Sequence, residues 1–153
     1  MRGDVKKYLP TAVVAVLCLA GFFLPECGVG HDQPWQHALL FHFSHANVFH
    51  LAGNLWFLVW FHPRWSTLAV SYVVATLAAL LPISWVAAPT VGLSALLFAA
   101  VARSYVTWHS SVWKLLAVNM AVGLLPMING RMHVASFLAA YTVWKLISLQ
   151  RKR

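Results

Sequence analysis

The chain has 153 residues, of which 61% are hydrophobic and only 9% charged. A soluble domain carries about 25% charged residues, so too little polar surface is present to coat a water-soluble globule. The net charge of +8 does not point to nucleic acid, because that reading needs basic residues gathered on one face.

The Lys and Arg instead flank apolar runs: Arg2, Lys6 and Lys7, then Arg64, then Arg103 and Lys114, then Lys145, Arg151, Lys152 and Arg153. Only Arg131 stands apart. Charges so placed set the topology of an integral membrane protein.

Six apolar spans follow in chain order. The first covers about residues 9–24 and includes Cys18, which reads as a packing residue. Basic residues precede it, as in a signal peptide, but Leu24, Pro25 and Glu26 offer no small-x-small cleavage site, so it reads as a retained helix. A polar and aromatic loop from Pro25 to Asn47 holds Glu26, Asp32 and four of the eight histidines. The second span is Val48–Phe61 and the third about residues 65–83. A Pro- and Ala-rich loop leads to the fourth, about 92–106; the fifth covers about 112–125. A turn over Pro126–Arg131 precedes the sixth, about 132–149. No repeat or linker interrupts them, so the expectation is one all-α membrane domain of six transmembrane helices.

Several spans fall short of the ~20 residues of a full crossing. Short helices are tolerated where other helices surround them. Both termini and the loops after spans two and four are basic, and an even helix count puts all of these on the cytoplasmic side of a cell membrane. Cys18 and Cys27 form neither a disulfide framework nor a metal spacing.

Polar residues recur at one depth within these spans. At 1.5 Å per residue, Ser94 lies nine residues from Arg103, or about 14 Å. Asn54 and His50 lie ten and fourteen residues from Arg64, about 15 and 21 Å. His133 lies twelve residues from Lys145, about 18 Å. All four therefore sit between the middle and the outer third of a hydrocarbon layer ~30 Å thick. Any one of them can be explained as a hydrogen bond between helices. Three helices sharing one polar layer, with His50 and Asn54 at i and i+4 on one face, point to function. His31, His37, His42, His62 and His109 fall in loops or at span ends, where a surface role is expected.

The chemistry follows from what the layer lacks. The only acids, Asp4, Glu26 and Asp32, lie outside the spans, which excludes an aspartyl pair. No Glu accompanies the histidines as a His-Glu-x-x-His zinc site requires. A serine mechanism needs a hydroxyl, a base and an oxyanion site. Ser94 would be the nucleophile at a helix N-terminus. His133 would be its general base in a dyad, since no acid is at hand to orient it. His50 and Asn54 would donate to the oxyanion, and Gly92 would let the backbone approach a substrate strand. No metal or cofactor is called for.

These residues resemble the motifs of the rhomboid intramembrane serine proteases. His45-Ala-Asn-Val-Phe-His50-Leu-Ala-Gly-Asn54 resembles the family's second-helix signature. Gly92-Leu93-Ser94-Ala95 resembles its Gly-x-Ser-Gly nucleophile motif, and His133 through Ala140 its sixth helix, where small residues follow the histidine.

The resemblance runs from about Trp35 to the C-terminus. It implies a six-helix bundle with a short central fourth helix, Ser94 and His133 as the catalytic pair, and His50, Asn54 and the Ser94 amide as oxyanion hole. It implies that Phe98 stacks on the histidine, and that the loop before helix six caps the site. The partners implied are the bilayer and transmembrane-helix substrates entering between helices two and five. The alternative is a catalytically idle relative that binds or escorts membrane proteins. The chain departs from the pattern at Ala95, where the family has glycine, at Ser136 and Ala140 in place of the helix-six glycines, and at Trp35-Gln36 in place of Trp-Arg.

Overall fold

A computed structural model describes residues 2–85, 88–108 and 129–151. Among these the chain is all-helical, with five α-helices and two short 3-10 turns. The helices are α1 (Arg2–Phe22), α2 (Val48–Phe61), α3 (Trp65–Ala79), α4 (Ser94–Trp108) and α5 (Gly130–Gln150). The expected fifth span, residues 112–125, lies outside the described residues, as do His109 and Lys114. By length and composition, Gly130–Gln150 can cross a membrane; Val48–Phe61, Trp65–Ala79 and Ser94–Thr107 are apolar but shorter.

Local chemistry sets the helix ends. Asn47 caps α2 by accepting a hydrogen bond from the His50 amide at 2.9 Å. The helix ends at His62 in the left-handed region (φ 32°), and Pro63 prevents its continuation. α2 occupies the expected span, whereas the other boundaries differ. α1 begins at Arg2 rather than near residue 9, so the helix extends through the basic segment ahead of the apolar run. α3 stops at Ala79 rather than at 83, since Pro82 drives the residue before it to extended backbone and opens a separate 3-10 turn, Pro82–Ser84. α4 begins at Ser94 rather than at 92, because Gly92 holds φ +110°. α5 starts at Gly130, so the last two residues of the expected turn are helical, capped by Asn129 through the Met132 amide at 3.0 Å.

α4 lies at the centre. Its Ala95, Ala99, Ala102 and Val106 pack with Val74, Ala75 and Ala79 of α3 and with Met132, Phe137, Ala140 and Trp144 of α5. Leu96 and Leu97, with Leu93 just before the helix, pack with Val14 and Cys18 of α1, Leu51 and Leu58 of α2 and Leu68 of α3. A helix apolar around its circumference is one enclosed by neighbours, and Ala95, Leu96, Leu97, Ala99 and Ala100 are all buried. The alanine face lets backbones approach closely, and α4 with α5 forms the most extensive helix pairing. Ser136 and Ala140, both fully buried, sit in that pairing.

The loop before α2 folds back on the bundle. It carries a 3-10 turn, Trp35–Leu39. The Tyr72 hydroxyl donates to the Leu39 carbonyl at 2.7 Å, and His42 Nε2 shares a hydrogen bond of 3.1 Å with Thr76 Oγ1. His42 is completely buried, which corrects the surface role expected for it. Its partner lies 34 residues away on α3, beyond the reach of local pattern.

Candidate active site

Two backbone contacts and one side-chain hydrogen bond bring the segment ahead of Ser94 into register. Val29 and Thr90 form an antiparallel bridge with hydrogen bonds of 2.9 and 2.8 Å. The Gly92 amide donates to the Phe41 carbonyl at 2.8 Å. Asn129, while capping α5, donates from Nδ2 to Thr90 Oγ1 at 2.7 Å. Thr90 and Asn129 were not singled out in the sequence. Asn before a Gly and an apolar run is an N-cap signal that marks Asn129; nothing local marks Thr90.

Ser94 opens α4, so its backbone N–H is among those without an intrahelical acceptor. His133 lies in the first turn of α5, with its amide bonded to the Asn129 carbonyl at 3.2 Å. The two side chains meet at 2.8 Å between Ser94 Oγ and His133 Nε2. The Phe98 ring, one turn along α4, stacks on the His133 imidazole with centroids 4.4 Å apart and planes 6° from parallel. This fixes the ring plane so that Nε2 faces the hydroxyl.

His50 and Asn54 converge on Gly92 from α2. A Cβ placed on Gly92 would stand 2.5 Å from His50 Cε1, 2.7 Å from its Nε2 and 3.3 Å from Asn54 Nδ2. Glycine is thus required twice, by its positive φ and by the closeness of the two side chains. Asn54 is buried, and its Nδ2 makes no hydrogen bond among the described residues. A buried unpaired amide costs about 1–3 kcal/mol, and this donor faces Gly92, two residues before Ser94.

His45 stands beside this group rather than in it. Its Nδ1 meets the Phe43 carbonyl at 3.1 Å, and its ring packs edge-on to His50 with centroids 5.2 Å apart. Burial pushes the His45 imidazole down to about 4, so it stays neutral and can support His50 without adding charge.

Among the described residues, a cavity of about 470 Å3 lies between α2 and α4. Ser94 and Asn54 line it together with Phe57, Phe61, Leu97, Phe98, Val101 and Tyr105. The arrangement can accept a proton from a serine hydroxyl, hold an apolar group beside it and offer donors to an adjacent oxygen. Ser94, His133, Phe98, Gly92, His50 and Asn54 are brought together, with His45 one ring further out. Ala95 is buried against the α3 and α5 packing rather than in the cavity. No family model matches the chain, and no curated protein or solved structure matches it.

Proposed function

We propose that the protein is a multi-pass intramembrane serine endopeptidase of rhomboid type, cutting transmembrane segments of other proteins with a Ser94–His133 dyad. The observation that carries this reading is the 2.8 Å contact of Ser94 Oγ with His133 Nε2. His133 would take the hydroxyl proton as Ser94 attacks the scissile carbonyl and return it to the leaving amine. The Asn54 amide, with His50 and the Ser94 N–H, would stabilise the oxyanion. The apolar cavity beside Ser94 suits a hydrophobic stretch of substrate.

Six crossings in a cell membrane, with both termini cytoplasmic, fit the distribution of basic residues. Large apolar side chains left uncovered among the described residues, such as Phe49, Trp56, Val59 and Trp60 on α2, support an apolar solvent around the bundle. No step of this mechanism uses a metal or cofactor.

A fluorophosphonate probe on the detergent-solubilised protein tests the reading. The wild type should take label and cleave a model transmembrane substrate, while Ser94→Ala and His133→Ala should do neither. A folded wild type that takes no label and cuts nothing would leave the idle, escorting relative as the better account.

A further inference from the structure

At the end of the bundle away from Ser94, a cleft of about 250 Å3 opens between the last turns of α4 and α5. Arg103 and Arg151 line it, with Val106, Trp144 and Ile147 as apolar walls. Arg103 is already oriented: one guanidinium N–H donates to Thr67 Oγ1 on α3, and the group lies over the Trp144 ring at 4.9 Å. A guanidinium carries five N–H donors, so most of its capacity is left over.

The charges of Arg64 and Arg151 both bear on Arg103, and no ion pair engages any of the three among the described residues. Of the three acids, Glu26 and Asp32 lie in the loop at the other end of the chain's helices, and Asp4 lies in the first turn of α1, of which no described residue lines the cleft. The helix C-termini of α4 and α5 each contribute roughly half a negative charge, which three guanidiniums outweigh. The hydroxyls of Thr107 and Ser148 donate to the carbonyls of Arg103 and Lys145, which leaves the arginines as the donors facing the cleft.

We propose that this cleft binds the phosphate of an anionic glycerophospholipid, with Arg103 and Arg151 on the headgroup oxygens. Uncompensated guanidiniums call for an oxyanion, and the planar fork of arginine matches phosphate geometry. The apolar walls beside the charges distinguish a lipid from free phosphate, since they provide a surface along which acyl chains can lie. A basic pocket between membrane helices at their positively charged end is the setting in which such headgroups are held. The site shares no residue with the Ser94 site and does not depend on the protease reading.

Native mass spectrometry of the full chain, released from nanodiscs of phosphatidylcholine doped with phosphatidylglycerol, tests this. The wild type should retain phosphatidylglycerol over phosphatidylcholine, and Arg151→Gln should lower that preference about fivefold, as expected for one cation at a lipid surface. Arg103→Gln should lower it at least as far; if that variant does not fold, Arg151→Gln alone decides, since its side chain is exposed. Arg131→Gln, an exposed arginine at the opposite end of α5, should leave retention unchanged. Equal retention of the two lipids, or equal behaviour of Arg151→Gln and Arg131→Gln, would overturn the site. Displacement of the lipid by millimolar inorganic phosphate would assign the cleft to free phosphate and overturn the lipid assignment.

Discussion

Asn129 Nδ2 donates to Thr90 Oγ1 at 2.7 Å, and each of these residues stands four positions ahead of one member of the Ser94–His133 pair. The bond ties the two helix entries together just upstream of the groups that must meet. Asn129→Ala should cost about 1 kcal/mol of stability as a lost cap. It should also lower kcat, with KM little changed, because the serine and its base lose a shared anchor. Thr90→Val removes the cross-tie and keeps the cap, so it should lower kcat with a smaller loss of thermal stability. A double-mutant cycle on kcat should show coupling of about 0.5–3 kcal/mol. Strict additivity would mean that the bond does not position the pair.

Asn54 tests the oxyanion assignment. Asn54→Ala should lower kcat by about 10²–10³-fold, as for removal of one oxyanion donor, without loss of stability, since the amide has no partner in the resting site. Stopped substrate turnover at unchanged melting temperature is the expected pattern. A variant with wild-type kcat would exclude Asn54 from the chemistry.

Gly92 admits no side chain. Gly92→Ala should abolish fluorophosphonate labelling, because the added methyl meets the His50 ring and the residue must hold φ +110°. A backbone outlier of this kind costs about 1–3 kcal/mol for a residue with a Cβ. Labelling at wild-type rate would show that the segment relaxes without disturbing Ser94.

Phe98 sets the ring plane of His133. Phe98→Leu should reduce kcat through a less constrained imidazole, with loss of a stacking contact of about 0.5–1.5 kcal/mol. Phe98→Tyr should restore most of the activity, since the flat ring is kept. Equal activity of the Leu and Tyr variants would argue that stacking does not matter.

Acid should weaken both activity and fold. Activity should fall with acidification if His133 is the base, because a protonated imidazole cannot take the serine proton, and full activity well below pH 5 would exclude an imidazole base. Stability has a separate source in the loop before α2. Burial lowers the His42 imidazole from the ordinary 6.5 to about 3, so the unfolded chain binds a proton there that the folded chain does not. Its contribution is intact above pH 6.5 and is lost as pH falls from there toward 3, at about 1.4 kcal/mol per unit. His42→Gln keeps a partner for Thr76 and removes the titration. Its melting temperature should therefore fall less steeply than that of the wild type between pH 6 and 4.

The parts of this molecule written in local pattern were legible from sequence. The span of α2 follows from an uninterrupted apolar run between Asn47 and His62-Pro63. Boundaries that depend on a single backbone event were less so: Gly92 delays α4, Pro82 cuts α3 short, and Asn129 advances α5. Contacts across long sequence separations were not legible. His42 with Thr76, Phe41 with Gly92 and Asn129 with Thr90 each join segments more than 30 residues apart, and no periodicity encodes them.

The enclosure of α4 has a consequence for how activity is acquired. Its 15 residues reach about 22 Å, less than a bilayer's hydrocarbon, and Arg103 lies near one end, so on the membrane reading proposed above neighbouring helices would set its place. The histidine that meets Ser94 comes from α5, which follows α4 in the chain. A chain in which α5 has not yet docked on Ala95, Ala99 and Ala102 carries a serine without its histidine. On the protease reading proposed above, competence to cut would then wait on the docking of α5.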